Sequence, residues 1–367
     1  MTEVWGLVQL NEIASLETQT VWHAAALTRQ ETRYDNILLI DWPNRPFVSV
    51  GYHQDPKREV DLAACEQRGY EVYRRACGGG QVLLNGDQIF YHAITNPQNP
   101  KLKGRTIDFY EKLLQPVVAT YRNFGVEAQF APVNDIVAEG KKISGNGAAT
   151  LGDSRILTGN FILSFPSSEM AQVMSVPDEK FRDKVAKSLE DRVGSFDSIL
   201  GKIPDREKLI ASYLENFQSY LDVEFERTTL PQPTRKKMAE LDVMYGTEEW
   251  KFAITGRSSS LRAVKIKGGM FISESLVKTA GGLIKGVYVT ENKVIAYEPS
   301  LSGDITIEPM NGLSLIEKDL KGTLVKAEEL KNVITETTKS FDMPGVTVDD
   351  FVDLTMKAAF SHKEARV

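Results

Sequence analysis

The sequence predicts an α+β fold, in which a large first domain with a mixed β-sheet and flanking helices precedes a smaller α+β domain. Two observations support this prediction. The chain has 367 residues, which exceeds the length at which a single hydrophobic core usually stops growing. The segment "RTTLPQPTRKK", with two prolines and a cluster of charges, reads as a linker. We therefore predict domains at residues 1–229 and 230–367.

The first elements follow from apolar periodicity and turn residues. A helix is predicted over residues 15–32, with Ser15 as its N-cap. "NILLID" and "PFVSVG" are predicted strands, "EVDLAACEQRG" a helix ended by Gly69, and "YEVYRR" the next strand. "QVLL" and "QIFYHAIT" flank "NGD", a turn sequence that predicts a β-hairpin.

The remaining elements continue the same order. "TIDFYEKLLQPVVATYRNFG" predicts a long helix closed by Gly125, and "NDIVAEGKKISGNGA" predicts two strands joined by a Glu-Gly turn. "RILTGNFILSF" continues the sheet, and residues 169–221 are mostly helical. In the second domain we expect strands with a turn at Gly281 and Gly282, a core containing Trp250 and Phe252, and a helical stretch from Lys326.

Composition narrows the class of protein. The formal net charge of −6 offers no basic footprint for nucleic acid. No apolar run reaches membrane-spanning length, and the start "MTEVWGLVQL" lacks the regions of a signal peptide. Two cysteines, Cys65 and Cys77, cannot form a disulfide framework or a zinc site by themselves, and Cys65 is expected on the buried face of a helix. We expect a cytoplasmic protein.

The three consecutive glycines in "YRRACGGGQVLL" need a structural or functional explanation, because glycine weakens a strand. It lacks the lysine of a phosphate-binding P-loop and continues into strand residues, and no G-x-G-x-x-G opens a helix. What remains is a turn at Gly78, Gly79 and Gly80 whose backbone can approach an anion or an acyl chain closely.

Two motifs, found together, resemble those of a known family. "RRACGGGQV" resembles the RRxSGGGAV signature of lipoate–protein ligases, and "NDIVAEGKKISGNGA" resembles their ND(I/L)…G(R/K)KISG(S/N)A signature. "VSVGYHQDPKREVD" is similar to the segment that precedes them. "EEWKFAITGRSS", "GGMFISESLVKTAGGLIKGVYVTENKV" and "GDITIEPMNGLSLIEKDLKG" resemble the C-terminal accessory domain of that family. The resemblance covers most of the chain and implies the biotin/lipoate-ligase catalytic fold.

The resemblance implies a reaction in which lipoate and ATP, with Mg²⁺, form lipoyl-adenylate. The lysine of a carrier protein (H-protein, a 2-oxoacid dehydrogenase E2 or another lipoyl domain) then attacks this anhydride. Lys142 is implied as the catalytic residue, contacting the α-phosphate and the acyl carbonyl, because fixed positive charge stabilises both. Asp135 is implied as a contact of the nucleotide and the metal. Further implied contacts of substrate and nucleotide are His53, Gln54, Arg75, Cys77, Gly78, Gly79, Gly80, Asn134, Ser144 and Gly145.

Neighbouring residues need separate interpretations. Arg74 and Arg75 alternate faces on a strand, so only one can enter the site; we favour Arg75 and expect Arg74 at the surface in an ion pair. The accessory domain is implied to move as a lid between the two reaction steps, with the Pro-containing segment near 228–236 as a hinge.

The sequence departs from the family at two places, and other functions stay open. Cys77 replaces the usual serine, and "LLN" at 83–85 replaces Tyr-His-Asp, which His92, expected to be an ordinary strand residue, does not restore. An ATP-independent octanoyl or lipoyl transferase with Cys77 as acyl nucleophile is one alternative. The expected nucleophile loop of that branch, "QFAPVNDI", contains no cysteine, so we interpret Cys77 as a substitute for serine. A non-catalytic lipoyl-binding homologue is the other alternative.

Overall fold

A computed structural model describes residues 2–176, 178–253, 264–267 and 270–364. The chain divides into two compact units. The larger unit comprises Met1–Val50, Lys57–Ala76 and Gln81–Lys251, and the smaller unit comprises Gly51–Pro56, Cys77–Gly80 and Phe252–Val367. The fold is α+β, as the sequence predicts. The domain boundary between residues 229 and 230 stays a prediction.

Strands and helices alternate up to residue 251, and the elements at residues 3–13, 223–227 and 232–246 have no counterpart among the predicted ones. The strands are β1 (Glu3–Ile13), β2 (Ile37–Pro43), β3 (Phe47–Val50), β4 (Glu71–Arg74), β5 (Val82–Leu84), β6 (Gln88–Thr95), β7 (Gln129–Ala131), β8 (Asp135–Ala138), β9 (Lys141–Ser144), β10 (Asn146–Leu151), β11 (Ser154–Ile162) and β12 (Val223–Arg227). The helices are α1 (Glu17–Thr28), α2 (Pro56–Glu59), α3 (Leu62–Arg68), α4 (Thr106–Asn123), α5 (Ser167–Val173), α6 (Arg182–Arg192), α7 (Phe196–Leu200), α8 (Arg206–Leu221), α9 (Gln232–Gly246) and α10 (Glu248–Lys251).

The larger unit is built on a mixed sheet with the strand order β10-β11-β6-β2-β1-β12. β1 runs parallel to both β2 and β12, whereas the pairs β2–β6, β6–β11 and β11–β10 are antiparallel. Strand β6 is buried at every position, which fits its central place between β2 and β11. Two small sheets, β4-β3-β5 and β7-β8-β9, accompany it.

One face of the main sheet packs against α4 and α8 and forms the principal core. Aromatic rings fill this layer: Tyr91 lies 5.3 Å from Phe161 and 5.2 Å from Tyr213, measured between ring centroids. Tyr121 of α4 stacks on Phe196 of α7 at 4.6 Å. The long helix α4 ends at Asn123, and Gly125 follows it with a φ of 89°, as the sequence predicts.

The opposite face is covered by α1, and α9 packs against α1 through a polar seam. Thr20 donates to Asp242 at 2.6 Å, and Thr28 bonds to Thr234 at 2.8 Å. Nδ1 of the buried His23 lies 2.9 Å from the hydroxyl of Tyr245. The linker predicted at 227–237 is therefore wrong in its second half, since residues 232–246 form a helix whose Thr234 is fully buried.

A second buried polar pair lies below α1. Nε2 of His92 on β6 is 3.2 Å from Oδ2 of Asp41 on β2, and its Nδ1 is 2.8 Å from the hydroxyl of Thr158. Burial raises the pKa of Asp41, and the charge and hydrogen bond of His92 act in the opposite direction. His92 is a residue of strand β6, as predicted, and its ring also joins three strands of the sheet.

Three local predictions for the larger unit are wrong. Ser15 does not cap α1; Leu16 precedes the helix, and the Ser15 hydroxyl donates to the carbonyl of Arg45. The strands around "NGD" form no hairpin, since β5 pairs with β3 and β6 with β2 and β11. Trp250 belongs to the larger unit, where its ring stacks on Tyr245 at 4.8 Å. The helix ended by Gly69 is confirmed, with Cys65 buried.

The smaller unit contains β13 (Val264–Lys267), β14 (Met270–Thr279), β15 (Gly282–Glu291), β16 (Val294–Ile295), β17 (Ser300–Gly303), α11 (Gly312–Leu320), α12 (Ala327–Thr337) and α13 (Val348–Glu364). β14 and β15 form the predicted hairpin, with Gly281 in the turn and Thr279 paired with Gly282. Residues 254–259 of "EEWKFAITGRSS", together with Gly268 and Gly269, lie outside the described residues. Within the described part of the chain, no helix has the length and apolarity to cross a membrane.

We predict that His23 makes the stability of the larger unit depend on pH. Burial, helped by the charge of Lys237, lowers the pKa of His23 from 6.5 to about 4. Between these values the unfolded chain binds more protons, so the free energy of unfolding should fall as the pH falls, by at most about 3 kcal/mol. Below about pH 4 the folded histidine is also protonated, so this group causes no further change in the free energy of unfolding.

Denaturant unfolding across this pH range tests the prediction. His23→Gln should flatten the pH dependence. Thr28→Val breaks a neighbouring bond of the seam without removing a titrating group, so it should lower stability equally at each pH. An unchanged pH slope in His23→Gln would contradict the prediction.

Candidate active site

The lysine motif lies on the β8–β9 hairpin. Glu139 and Gly140 form its turn with φ values of 51° and 75°, which confirms the predicted Glu-Gly turn. Ile136 pairs with Ser144 and Val137 with Lys142, so one residue of β9, Ile143, is extra. Such a bulge bends the strand and redirects the side chains beside it.

The bulge separates a buried residue from an accessible one. The Ile143 side chain is fully buried in the principal core, and its carbonyl accepts a hydrogen bond from the Tyr121 hydroxyl. The Lys142 carbonyl accepts from the backbone N–H of Gly194 at 2.8 Å, between α6 and α7. The backbone at Lys142 is therefore held from two directions, whereas its side chain is 39% exposed.

The Lys142 ammonium is paired with a carboxylate. Its Nζ lies 2.6 Å from Oδ1 of Asp135, whose side chain is also 39% exposed. Because both side chains are partly exposed, a pair of this kind is worth less than about 1 kcal/mol. An anionic ligand that contacts the ammonium can replace the carboxylate at little cost.

Asn134, the other residue of the predicted Asn-Asp pair, forms hydrogen bonds with Asn146. Its Nδ2 donates to the carbonyl of Asn146 at 2.5 Å, and Nδ2 of Asn146 donates to the carbonyl of Asn134 at 2.9 Å. This reciprocal pair ties the start of β8 to the start of β10. Asp135 is thereby placed beside Lys142.

The Ser-Gly part of the motif also bonds internally. The buried Ser144 hydroxyl donates to the Asn160 carbonyl at 2.7 Å and lies 3.0 Å from the Tyr91 hydroxyl. The Gly145 N–H donates to Oδ1 of Asn160 at 2.8 Å. Ser144 and Gly145 are thus bonded inside the protein, whereas the Lys142 side chain is partly exposed.

The two arginines before the glycines have different environments. Arg74 is 3% exposed, so the prediction of a surface ion pair is wrong. Its guanidinium donates to the Trp250 carbonyl at 3.0 Å and lies over the Trp250 ring, while the indole N–H donates to the Arg74 carbonyl at 2.7 Å. Arg75 is half-buried at the end of β4, where it donates to the Ser49 carbonyl at 3.3 Å.

The glycine turn belongs to the smaller unit and packs there against residues 303–306. A Cβ on Gly78 would overlap the carbonyl oxygen of Ile305. Gly79 adopts a φ of 95°, which strongly favours glycine. A Cβ on Gly80 would meet the Cβ of Asp304 at 3.8 Å, which is ordinary contact. Protein packing therefore requires glycine at position 78, besides any requirement from a ligand.

The predicted contacts His53 and Gln54 lie in the same unit, and each is 4% exposed. The His53 carbonyl accepts from the Gly303 N–H at 2.9 Å. Oε1 of Gln54 accepts from the Gly51 N–H at 3.1 Å. His53 thus bonds this segment to Gly303, and the Gln54 side chain closes a turn within it.

Both cysteines are free and buried. Burial raises the pKa of Cys65 to about 11, with a smaller contribution from Asp61, so its thiol is a poor nucleophile at neutral pH. Cys77 is 2% exposed, and its carbonyl accepts from the Tyr52 N–H at 2.9 Å.

Within the described residues, no group of three His, Cys, Asp or Glu side chains forms a metal site. Mg²⁺ in nucleotide sites commonly uses one or two protein carboxylates together with phosphates and water. Asp135 offers one half-exposed carboxylate, and its partner Lys142 is itself a phosphate-binding type of residue. The residues present therefore fit an ion that arrives with a nucleotide.

Sequence reasoning missed the polar residues behind the lysine motif. Asn160 and Gln88 are 7% and 1% exposed, and Tyr91 and Asn146 bond to each other at 2.6 Å. The available signal was an amide side chain inside the apolar strand "RILTGNFILSF". A buried amide requires partners, so such a residue indicates a specific hydrogen-bond network.

Comparison with known proteins identifies the family of the larger part of the chain. The family model of the lipoyl protein ligase A/B catalytic domain matches residues 17–218. The octanoyltransferase LipM of Carboxydothermus hydrogenoformans is 24% identical over 225 residues, which are 57% of this chain and 83% of that protein. The lipoate-protein ligase A subunit 1 of Thermoplasma acidophilum is 27% identical over 218 residues, 56% of this chain and 81% of that protein.

Solved structures share the fold. The LipL1 structure of P. falciparum in complex with lipoate has a TM-score of 0.70 at 13% identity, covering 96% of this chain and 99% of that one. A bi-partite lipoate protein ligase described with its E2 lipoyl domain, from Thermoplasma acidophilum, has a TM-score of 0.61 at 23% identity, covering 71% of this chain and 100% of that one.

The fold and the matched sequence define an enzyme of the lipoate ligase and octanoyltransferase class. More particularly, the chain belongs to the lipoyl protein ligase A/B catalytic-domain family, because that family model covers more than half of its residues. The resemblance found in the two motifs is thereby confirmed at the level of the family.

The contact between the glycine turn and residues 303–306 predicts a disulfide. In Gly80→Cys with Asp304→Cys, the two Cβ atoms would lie 3.8 Å apart, within the range of natural disulfides. We expect mild oxidation to consume both new thiols, as measured by thiol titration and by mobility on a non-reducing gel.

The experiment uses a Cys77→Ser background, because the neighbouring thiol would compete. The single variants Gly80→Cys and Asp304→Cys serve as controls and should keep their thiols free within one molecule. Two thiols that stay free in the double variant would show that the turn does not pack against this segment.

Proposed function

We propose that the chain is a lipoate–protein ligase. The carboxylate of lipoate attacks the α-phosphorus of ATP, an O–P bond forms, and pyrophosphate leaves. The ε-amine of a carrier lysine then attacks the acyl carbon of lipoyl-adenylate; the amine loses a proton and AMP leaves. Both steps place negative charge on oxygens that require fixed donors.

The observation that carries this proposal is the presentation of Lys142. Its backbone is held by the core at Ile143 and by Gly194, while its ammonium is accessible in an exchangeable pair with Asp135. A compact ammonium with three donors can contact a phosphate oxygen and an acyl carbonyl oxygen together. We propose this double contact as the catalytic role of Lys142.

We propose that the other motif residues contact the substrates or support the residues that do. Arg75 and the backbone of the glycine turn, Cys77 to Gly80, would contact the adenylate, with His53 and Gln54 supporting that turn. Asn134, Ser144 and Gly145 would keep the lysine hairpin in place. Asp135 would hold Mg²⁺ together with the phosphates of ATP, and the ion would neutralise phosphate charge.

The acceptor is proposed to be the lysine of a lipoyl carrier domain, such as H-protein or a 2-oxoacid dehydrogenase E2. The Thermoplasma ligase described with its E2 lipoyl domain supports this choice of partner, and LipL1 in complex with lipoate supports the choice of acyl group. We further propose that the reaction takes place in the cytoplasm.

A second function, ATP-independent octanoyl transfer, is favoured by the similarity to LipM. In this reaction the Cys77 thiol would accept the acyl group from one carrier as a thioester and pass it to the lysine of another. Its 2% exposure and the absence of cysteine from "QFAPVNDI" in the sequence support the ligase instead. The two functions differ in their need for ATP.

Exchange of labelled pyrophosphate into ATP, dependent on lipoate, tests the ligase. We expect the unmodified chain to catalyse this exchange and Lys142→Ala to reduce it by roughly 100-fold or more, as loss of a transition-state charge contact does. Lys141→Ala is the matched control, since that neighbouring lysine is also half-buried on β9, and it should retain exchange.

Cys77→Ser separates the two functions. It should keep the exchange activity of a ligase, because serine has nearly the same size. Absence of exchange in the unmodified chain, together with octanoyl transfer that Cys77→Ser abolishes, would establish the transferase. A chain with neither activity would be a non-catalytic homologue.

A further inference from the structure

We propose that Asn160, acting together with Gln88, is a positioning residue for Lys142. The proposal rests on the proposed function, because the effect of positioning is read in the reaction that Lys142 supports. Neither amide belongs to the two sequence motifs. Both lie on strands of the main sheet, Asn160 on β11 and Gln88 at the start of β6.

Asn160 contacts the segment after Lys142 through two separate groups. Its side-chain Oδ1 accepts from the Gly145 N–H at 2.8 Å, and its backbone carbonyl accepts from the Ser144 hydroxyl at 2.7 Å. The residue is 7% exposed, so neither bond is readily replaced by water. Loss of the side chain would leave the Gly145 N–H without this acceptor.

Gln88 determines which way the Asn160 amide points. Nδ2 of Asn160 donates to Oε1 of Gln88 at 2.7 Å, and Nε2 of Gln88 donates to the Leu83 carbonyl at 3.2 Å. Each amide therefore uses its oxygen toward a donor and its nitrogen toward an acceptor. Every donor in this chain of bonds points away from Gly145 and toward the Leu83 carbonyl on β5. Reversal of either amide would place two donors or two acceptors against each other.

The position of Gly145 matters to the catalytic side chain. A Cβ built on Gly145 would lie 3.5 Å from Oδ1 of Asn160 and 3.9 Å from Cε of Lys142. A side chain at position 145 would therefore touch both the amide that holds this peptide and the stem that carries the ammonium. A displacement of about 1 Å in such a group can cost roughly 100-fold in rate.

Positioning predicts a specific kinetic pattern. In Asn160→Leu the side chain keeps a similar volume but loses the acceptor and the donor. We expect kcat for lipoyl transfer to fall roughly 10- to 100-fold, with KM for ATP and lipoate changed by less than about threefold. The readouts are steady-state kinetics on the carrier domain and a melting curve that shows the variant is folded.

Asn216→Leu is the matched control, because Nδ2 of Asn216 donates to the Thr120 hydroxyl at 3.1 Å between α8 and α4. It removes one amide bond elsewhere in the larger unit and should lower the melting temperature without changing kcat. Asn160→Asp is the second variant: it keeps an acceptor for Gly145 but turns a second acceptor toward Gln88, so its kcat should fall as well.

The double variant Asn160→Leu with Gln88→Leu tests whether the two amides act as one unit. Its kcat should be close to that of the single Asn160→Leu variant, since the chain of bonds is already broken. Unchanged kcat in folded Asn160→Leu, or equal losses in Asn160→Leu and Asn216→Leu, would overturn the proposal.

The outcomes also distinguish this proposal from the proposed function. If the unmodified chain lacks lipoate-dependent exchange but transfers octanoyl groups, the ligase fails, and the same variants are compared in the transfer reaction. There too, an intact kcat in Asn160→Leu rejects positioning. A chain with neither activity rejects both.

Discussion

The presentation of Lys142 depends on one residue, the extra residue Ile143 of strand β9. Its side chain is fully buried in the core of the larger unit, which is worth about 1.5 to 3 kcal/mol for an aliphatic residue of this size. Because the bulge places this anchor directly beside Lys142, the lysine side chain remains accessible while its backbone cannot move freely. The hydroxyl of Tyr121 and the N–H of Gly194 add hydrogen bonds on either side.

The hairpin thus combines a strongly held backbone with a weakly held charge. Burial and hydrogen bonds at Ile143, Ser144 and Gly145 fix the strand, whereas the ion pair with Asp135 is accessible to water and contributes little. This division suits the proposed reaction, in which the cation would contact different oxygens in two successive steps. A rigid support reduces the reorganisation that each new contact requires.

Local sequence signals predicted several parts of the structure because the relevant physics is local. The turn at Glu139 and Gly140 and the helix end at Gly69 need only a residue that tolerates positive φ. The "NGD" segment also reverses the chain locally, but a turn does not specify which strands then pair. Here β5 pairs with β3 in a separate sheet, which is a long-range choice.

The motif residues of the candidate site could be named from local sequence, whereas their partners distant in sequence could not. Lys142 could be chosen from its motif. The partners Asn160 and Gln88 could not, because their bonds appear only after β6 and β11 lie together. Arg74 was expected at the surface because the sequence does not show that Trp250, far along the chain, covers it.

Because Gly78 closely approaches the Ile305 carbonyl, the residue allowed at position 78 depends on the backbone near residue 305. A methyl group at position 78 is tolerable only in a chain whose backbone near 305 has shifted, so substitutions at these sites should accumulate in pairs. In a descendant that lost residues 303–306, this packing would no longer select for glycine. Any glycine retained at 78 in such a lineage would then reflect a constraint other than this contact.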